Sequence, residues 1–473
     1  MAGQRISSDA IVMLAVLGFG LAWHALFASF IEGPNQWDSA YSWEVARHIA
    51  RGEGAVTDAI WAMAWQPHTV RHPADLHWSP LPSRVLVPAL WISESWRFVQ
   101  LVPVLLAALW GPLAVLWARR LRASRTLQVL AGLMAATGLG ALPFLGVPDS
   151  VGLFGVLGAG ALLTASQGHV WRCALLCALA ALTRGDGFLL GLACAVSLPW
   201  SRAIWPAVAG LAATAGWSLR SYALVGTSFF ELRGRVSDAR AVGDLLLLHA
   251  PPDLGVLARL EGMAASLPMS FVLGVLQTGL IPAALAVIAL WGRRRDRSLW
   301  AVPAFVIVVL LVDNALAPGV ASKGTIYRSL GATLPVVAAL SMVGARDVLR
   351  GLPSFVVPSI VAIAGVLISQ NVARSMSGAF TTYDDCGALS AAGVPPGAPV
   401  LAYEPLHVTA RCEHPAVQIP PDATSADLAD LAIRYQIQWA VVAPVEHRQP
   451  AWRQGTVFIR GFEPVGDRVL RLE

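Results

Sequence analysis

The sequence predicts an all-α polytopic membrane protein that ends in a small extracytoplasmic α/β domain. Three observations carry this reading. Of the 473 residues, 56% are hydrophobic and 13% charged, with a mean hydropathy of +0.60. A soluble domain carries about a quarter charged residues, so a wholly soluble protein is excluded. The apolar stretches supply about eleven helical crossings at roughly 20 residues each, and the alternating segments of a barrel are missing. Third, the arginines cluster in short loops, and beyond about residue 373 Pro, Asp and Glu become common. A net charge of +5 distributed this way reports topology, not a nucleic-acid surface.

The first apolar run, 10–31, follows Arg5 and has no cleavage site behind it, so it reads as a retained helix with a cytoplasmic N-terminus. A Trp- and His-rich first external loop occupies about 32–96. A helix over about 98–117 ends in Arg119, Arg120, Arg122 and Arg125, a cytoplasmic signature. Helices at about 127–146 and 150–166 flank the turn Gly146-Val147-Pro148-Asp149 and return to His169 and Arg172.

The basic loop 291–297 is also cytoplasmic by this rule, so a helix over about 267–290 starts outside, and so does the polar segment 221–265. An odd number of crossings must then link Arg172 to that segment. Residues 173–199 and 204–221 look like two. The count becomes odd if Arg184-Gly185-Asp186 breaks the first into two short helices, 173–183 and 187–199. Such a break also spares the bilayer two charges, each costing about 2.5–3.5 kcal/mol at mid-membrane. Helices at about 299–316, 329–344 and 355–372 complete a membrane domain of residues 1–372.

Residues 373–473 form the α/β domain, with strands at 398–403 and 439–443 around an amphipathic helix over 425–435 capped by Ser425. Cys386 and Cys412 are able to pair there, while Cys173, Cys177 and Cys194 sit in apolar segments as packing residues.

This topology puts the chemistry-bearing residues on the external side. Asp38 precedes a segment of helical period ending at Gly52, as a helix cap or as a carboxylate projecting into a cavity. Asp149 is a cap or a second such carboxylate. Lys323 and Arg328 suit phosphate, or snorkel as an interfacial pair. Arg184 either pairs with Asp186 as a structural break or makes a second phosphate contact. His68, His72 and His77 fall within ten residues of loop, but Pro67 and Pro73 oppose the helix that a His-x3-His metal site needs, so no metal ligand is assigned. Trp61, Trp65 and Trp78 are interfacial anchors or stacking platforms for a sugar ring.

The order of these features resembles the GT-C fold glycosyltransferases, among them protein O-mannosyltransferases, lipid A aminoarabinose transferases and the catalytic subunit of oligosaccharyltransferase. The stretch Trp37-Asp38-Ser39-Ala40-Tyr41 running to Gly52 is similar to their first-loop acidic motif, and Pro148-Asp149-Ser150 to their second-loop acidic residue. Leu182-Thr183-Arg184-Gly185-Asp186-Gly187 resembles their Leu-Thr-Arg-Pro-Glu-Gly turn, and Tyr327-Arg328 with Leu334-Pro335 their late Arg…Leu-Pro segment. Three departures leave the subfamily and acceptor open. The first loop has a single Asp where many relatives have an acidic pair, Gly-Asp replaces Pro-Glu, and His77-Trp78-Ser79-Pro80-Leu81 is closer to oligosaccharyltransferase-like members.

The resemblance implies transfer of a sugar from a polyprenyl-phosphate carrier to a lipid, protein or glycan acceptor outside the inner membrane of a bacterium. It makes Asp38 the general base, with Asp149 orienting the acceptor or, in metal-using relatives, ligating a divalent ion. Lys323, Arg328 and Arg184 would hold the donor phosphate, and Tyr41, His72, His77, Trp78, Asp186 and Tyr327 would line the substrate site. No cofactor is certain, and a divalent metal stays open. The competing readings are en bloc glycan transfer by an oligosaccharyltransferase- or ligase-like enzyme, a transporter or flippase, and a non-catalytic scaffold.

Overall fold

A computed structural model describes residues 8–34, 36–62, 67–232, 234–235, 256–316, 325–348, 384–420, 423–442, 462–465 and 468–472, with isolated positions between 356 and 367. Lys323, Trp65, Arg350 and most of the helix expected over 355–372 lie outside the described residues.

Six described helices are long and apolar enough to cross a membrane. Along the chain come α1 (Ser8–Ser29), the shorter α2 (Trp37–Ala50), α3 (Trp96–Arg120), α4 (Arg125–Leu145), α5 (Ser150–Ser166), α6 (Val170–Thr183) and α7 (Phe188–Ser197). They are followed by α8 (Trp200–Val225), α9 (Val256–Thr278), α10 (Leu280–Gly292), α11 (Arg297–Ala315) and α12 (Ile326–Val348). A further short helical stretch, Leu81–Leu90, sits in the first loop. The single helix expected over 267–290 is instead two. The first begins at Val256, inside the segment expected to be polar loop, and Gly279, at φ +83°, separates it from α10.

Small residues set the helix register. Trp110 Nε1 donates to the Gly152 carbonyl and Trp117 Nε1 to that of Ala159, both at 3.1 Å. The two indoles on α3 thus meet α5 at sites seven residues apart, and both are wholly buried. A Cβ on Gly155 would fall 2.2 Å from the Trp110 ring, so the helices approach this closely only through glycine. The lock fixes the height of α5, and with it Asp149 at its start.

The break at Arg184-Gly185-Asp186 is present, with α6 and α7 on either side of it. Both helices return to one end of the bundle, because Cys194 near the end of α7 reaches Cys173 near the start of α6. At 1.5 Å per residue they span only about 21 and 15 Å, less than a hydrocarbon core of about 30 Å. The tip of this hairpin therefore stops short of the far face. Gly187 makes the tight turn, since a Cβ there would lie 2.2 Å from the Ala180 carbonyl oxygen.

One end of the bundle is arginine-rich. Arg120 donates to the Ser166 carbonyl, Arg297 to that of Val196, and Arg293 pairs with Asp347 at 3.0 Å. The opposite end carries α2, the hairpin tip, the start of α12 and a sheet.

That sheet has the order β2-β5-β4-β6-β8-β7. Strands β4 (Val400–Ala402), β5 (Ala416–Gln418) and β6 (Trp439–Val441) are parallel, while β7 (Phe462–Pro464) and β8 (Val469–Leu472) add an antiparallel edge. The helices α14 (Pro405–Cys412) and α15 (Ser425–Tyr435) make its crossovers, and α13 (Asp385–Ala391) precedes it. α15 has the expected span, but its cap is Thr424 and not Ser425: Thr424 and Asp427 form a reciprocal capping box. Cys386 and Cys412 form a disulfide between α13 and the end of α14.

The other edge strand, β2 (Ala59–Ile60), comes from the first loop and pairs parallel to β5. A short ribbon of β1 (Val56–Thr57) and β3 (His72–Pro73) flanks it. Arg47 on α2 pairs with Glu413 at 2.5 Å and donates to the Thr409 carbonyl, and Tyr435 donates to the Pro67 carbonyl at 2.8 Å. The loop and the C-terminal segment thus complete each other's hydrogen bonding.

A tight glycine contact between helices gives a test. A Cβ on Gly344 of α12 would lie 2.0 Å from the Leu285 carbonyl oxygen of α10. Gly344→Ala should destabilise the detergent-solubilised protein by about 1–3 kcal/mol through overpacking, seen as a lower melting temperature. Gly18→Ala, where nothing lies within 4 Å, should not.

Candidate functional site

Asp38 lies in the first turn of α2, one position inside the helix. Gln36 is the cap, so Asp38 is not the N-cap residue and its carboxylate is free to act elsewhere. The Arg328 guanidinium meets it: Nη1 donates to Asp38 Oδ2. Nη2 of the same group lies 3.6 Å from Asp149 Oδ2. Asp149 is the N-cap of α5, accepting from the Val151 amide at 3.0 Å through Oδ1. Three residues far apart in the chain therefore meet through one planar cation. Phe144 closes one side, 5.0 Å from the Arg328 guanidinium carbon.

An aromatic wall stands on the other oxygen of Asp38. Trp78 Nε1 donates to Oδ1 at 3.2 Å. The Trp78 ring stacks on Tyr41 at 4.1 Å and meets Trp61 at 4.2 Å, and His77 lies 5.0 Å from Trp61. His72 and His77 join Tyr41, Trp61 and Trp78 around one small cavity. His72 Nδ1 contacts the Val70 carbonyl at 2.7 Å, and the Asp75 amide donates to the Tyr41 hydroxyl oxygen. His68 is exposed.

Arg184 and Asp186 form a second, buried layer. Arg184 Nε and Nη2 bond the two oxygens of Asp186 at 3.0 and 3.2 Å. Nη1 donates to Ser150 Oγ and Nη2 also to Ser329 Oγ, each at 3.1 Å. Ser329 Oγ also contacts Asp186, and lies 3.3 Å from Asp313 Oδ2. Arg184 thus ties the hairpin tip to the residue after Asp149 and the residue after Arg328. Tyr327 is turned toward the Gly140 carbonyl, to which its hydroxyl donates. The sequence reading missed Asp313 and Ser329. Asp313 sits in an apolar run with nothing around it to mark it.

The described carboxylates Asp38, Asp149, Asp186 and Asp313 outnumber the guanidiniums Arg184 and Arg328. The pair that would share a divalent ion, Asp38 and Asp149, instead shares Arg328. A set able to hold a metal lies elsewhere: ligand atoms of Glu44, His48 and Asp58 are within 4.8 Å of one another. Burial favours the neutral form of His48, but bonds to Asp58, Glu44 and Glu53 outweigh it and push its pKa up to about 10. A protonated imidazole is itself the cation these carboxylates neutralise, and a metal would have to displace that proton. His68, His72 and His77 form no such group among the described residues.

Glu404 was also missed. It comes from the C-terminal segment, yet its Oε2 accepts a 2.5 Å hydrogen bond from the indole of Trp37, the residue before Asp38. Burial pushes its pKa up to about 7, against the Trp37 bond and with help from the negative charge of Asp385.

No family model matches the chain, and no curated protein matches it. Solved structures do. The apo oligosaccharyltransferase of Archaeoglobus fulgidus aligns with 94% of this chain and 70% of its own, at 13% identity and TM-score 0.60. ArnT from Cupriavidus metallidurans aligns over 98% of both chains at 14% identity, with TM-score 0.58 for its apo state and 0.54 for its complex with undecaprenyl phosphate. At these identities the likeness establishes a shared fold. The chain is a polytopic, mostly helical membrane protein with a small C-terminal α/β region, and it shares its fold with these two structures.

Glu404 predicts a pH dependence. A carboxyl whose pKa rises from 4.5 to about 7 on folding binds its proton more tightly in the folded state. Its contribution to stability is full below pH 4.5 and is lost as pH rises through about 7. Melting temperature should therefore fall between pH 5 and pH 8 by more in the wild type than in Glu404→Gln. Equal falls would contradict the assignment.

Proposed function

We propose that the protein transfers a sugar from a polyprenyl-phosphate carrier to an acceptor at the face where Asp38, Asp149 and Arg328 meet. The single observation that carries this is the Arg328 bridge: a forked cation lies between two carboxylates, one of them flanked by an aromatic wall. Guanidinium suits a departing phosphate, a carboxylate suits a hydroxyl that must lose its proton, and aromatic faces suit sugar rings. The fold shared with ArnT and the oligosaccharyltransferase supports the reading.

In this proposal the donor phosphate competes with Asp38 for Arg328. As Arg328 turns to the phosphate, Asp38 is released to take the acceptor proton. The new bond forms from the acceptor oxygen to the anomeric carbon, the bond from that carbon to the phosphate oxygen breaks, and polyprenyl phosphate leaves with its charge held by Arg328. Asp149 orients the acceptor. With carboxylates in excess, one further cation is needed for the phosphate, and Lys323, five residues before Arg328, supplies it. Arg184 backs this charge from the layer below, beside Asp186. Tyr41, His72, His77 and Trp78 shape the substrate cavity, while Tyr327 packs on Phe144 beside Arg328.

The same proposal places the site outside a bacterial inner membrane. About eleven crossings at roughly 20 residues each would put the N-terminus in the cytoplasm. Residues 1–372 form the membrane unit and 373–473 the extracytoplasmic one. Transfer of a single sugar is preferred to en bloc glycan transfer, because the chain matches ArnT over 98% of both lengths and the oligosaccharyltransferase over 70% of its length.

The test is turnover of polyprenyl-phosphate-linked sugars in proteoliposomes. Asp38→Asn should lower kcat by about 10²–10⁴-fold and Arg328→Gln by about 10²–10³-fold, with both variants still folded. Full activity in a folded Asp38→Asn would remove the base, and sugar movement without carrier turnover would favour a flippase. Sidedness has its own check. A reporter active only outside the cytoplasm should work when fused near position 240 and fail near 295.

A further inference from the structure

The sulfur atoms of Cys173, Cys177 and Cys194 lie within 4.8 Å of one another, and all three residues are buried free thiols. Packing alone explains a single buried cysteine. Here two adjacent turns of α6 and one of α7 aim three sulfurs at a common point. Cys173 and Cys177 Sγ are 3.9 Å apart. With metal–sulfur bonds of about 2.3 Å, three sulfurs around one ion in a plane are about 4.0 Å apart. The cluster is already near that spacing.

We propose that these three cysteines form a trigonal site for a soft monovalent ion, copper(I) above others. Two arguments select the ion. Soft sulfur donors favour copper(I) over hard cations. No fourth His, Cys, Asp or Glu joins the group among the described residues, and structural zinc asks for four. Neutrality, which a buried apolar position requires, is met when one copper(I) enters with loss of one thiol proton. The proton leaves to the nearby aqueous end.

Access is short. Cys173 directly follows Arg172, and an open cleft lined by Gly168, His169, Trp171, Arg172, Arg202 and Trp205 lies at that end of the bundle. His169 is among the residues lining that cleft. This end is the one opposite the Cys386–Cys412 disulfide. Under the sidedness proposed above it faces the reducing cytoplasm, which keeps thiols free. The ion would clamp the base of the hairpin whose tip holds Arg184 and Asp186.

The experiment uses the full-length protein in detergent under anaerobic conditions. It is titrated with copper(I) against a chelator of known affinity, while thiolate-to-metal charge-transfer absorption is followed. A second sample is metal-analysed after expression in copper-supplemented medium, so that slow entry does not hide a site. One equivalent per chain is expected, with the absorption band lost in Cys194→Ala and retained in Cys386→Ser/Cys412→Ser. Wild-type binding no greater than that of a folded Cys173→Ala/Cys177→Ala/Cys194→Ala variant in both samples would overturn the site. Zinc bound more tightly than copper(I) would overturn the trigonal assignment. Neither outcome depends on sugar transfer, so the site and the enzymatic proposal stand or fall separately.

Discussion

A charge held away from water must be matched, and in this chain that requirement falls on Arg328. Its guanidinium meets Asp38 from the first loop and Asp149 from the start of α5. Asp149 is buried while Arg328 and Asp38 are half-buried, so loss of Arg328 would leave the Asp149 carboxylate without its cation. The three segments carrying these residues are therefore held to one another by electrostatics as well as by packing. A forked cation can serve two carboxylates at once, which a lysine ammonium does less well.

The scaffold is arranged to make that meeting dependable. Trp110 and Trp117 fix the height of α5, and glycine at position 155 lets the indole close against the helix. The short hairpin of α6 and α7 brings Arg184 and Asp186 to the layer beneath, where Ser150 and Ser329 bind the same guanidinium. These serines are the residues following Asp149 and Arg328. The second layer thus holds the first through adjacent backbone positions. Above it, β2 completes the C-terminal sheet and Glu404 reaches Trp37, so the loop carrying Asp38 is tied to the sheet from two directions.

Much of this was legible in the sequence wherever a local physical conflict had one economical solution. A charged Arg-Gly-Asp in an apolar run can be accommodated by a turn, and the hairpin is there. Residues 425–435 carried a clear helical period, and the helix has that span. What escaped notice depended on distant partners. Asp313 looks like an isolated charge in an apolar helix, and only the fold shows Ser329 beside it. Glu404 precedes a proline in a loop-like stretch, and nothing local points to Trp37. The first loop's contribution to the C-terminal sheet is two residues long, too short for a periodic signal. Gly279 was read as one more helical residue, because a glycine gives no sequence sign of the positive φ that breaks α9 from α10. The cap of α15 moved by one residue, as helix ends commonly do.

The central claim is that Arg328 exchanges a carboxylate for a phosphate. A cryo-electron microscopy structure of the protein with a non-hydrolysable polyprenyl-phosphate sugar tests it most directly. The donor phosphate should lie within hydrogen-bonding distance of Arg328, with the Asp38 carboxylate released toward the acceptor side. A phosphate bound elsewhere, with the bridge from Arg328 to Asp38 and Asp149 intact, would contradict it.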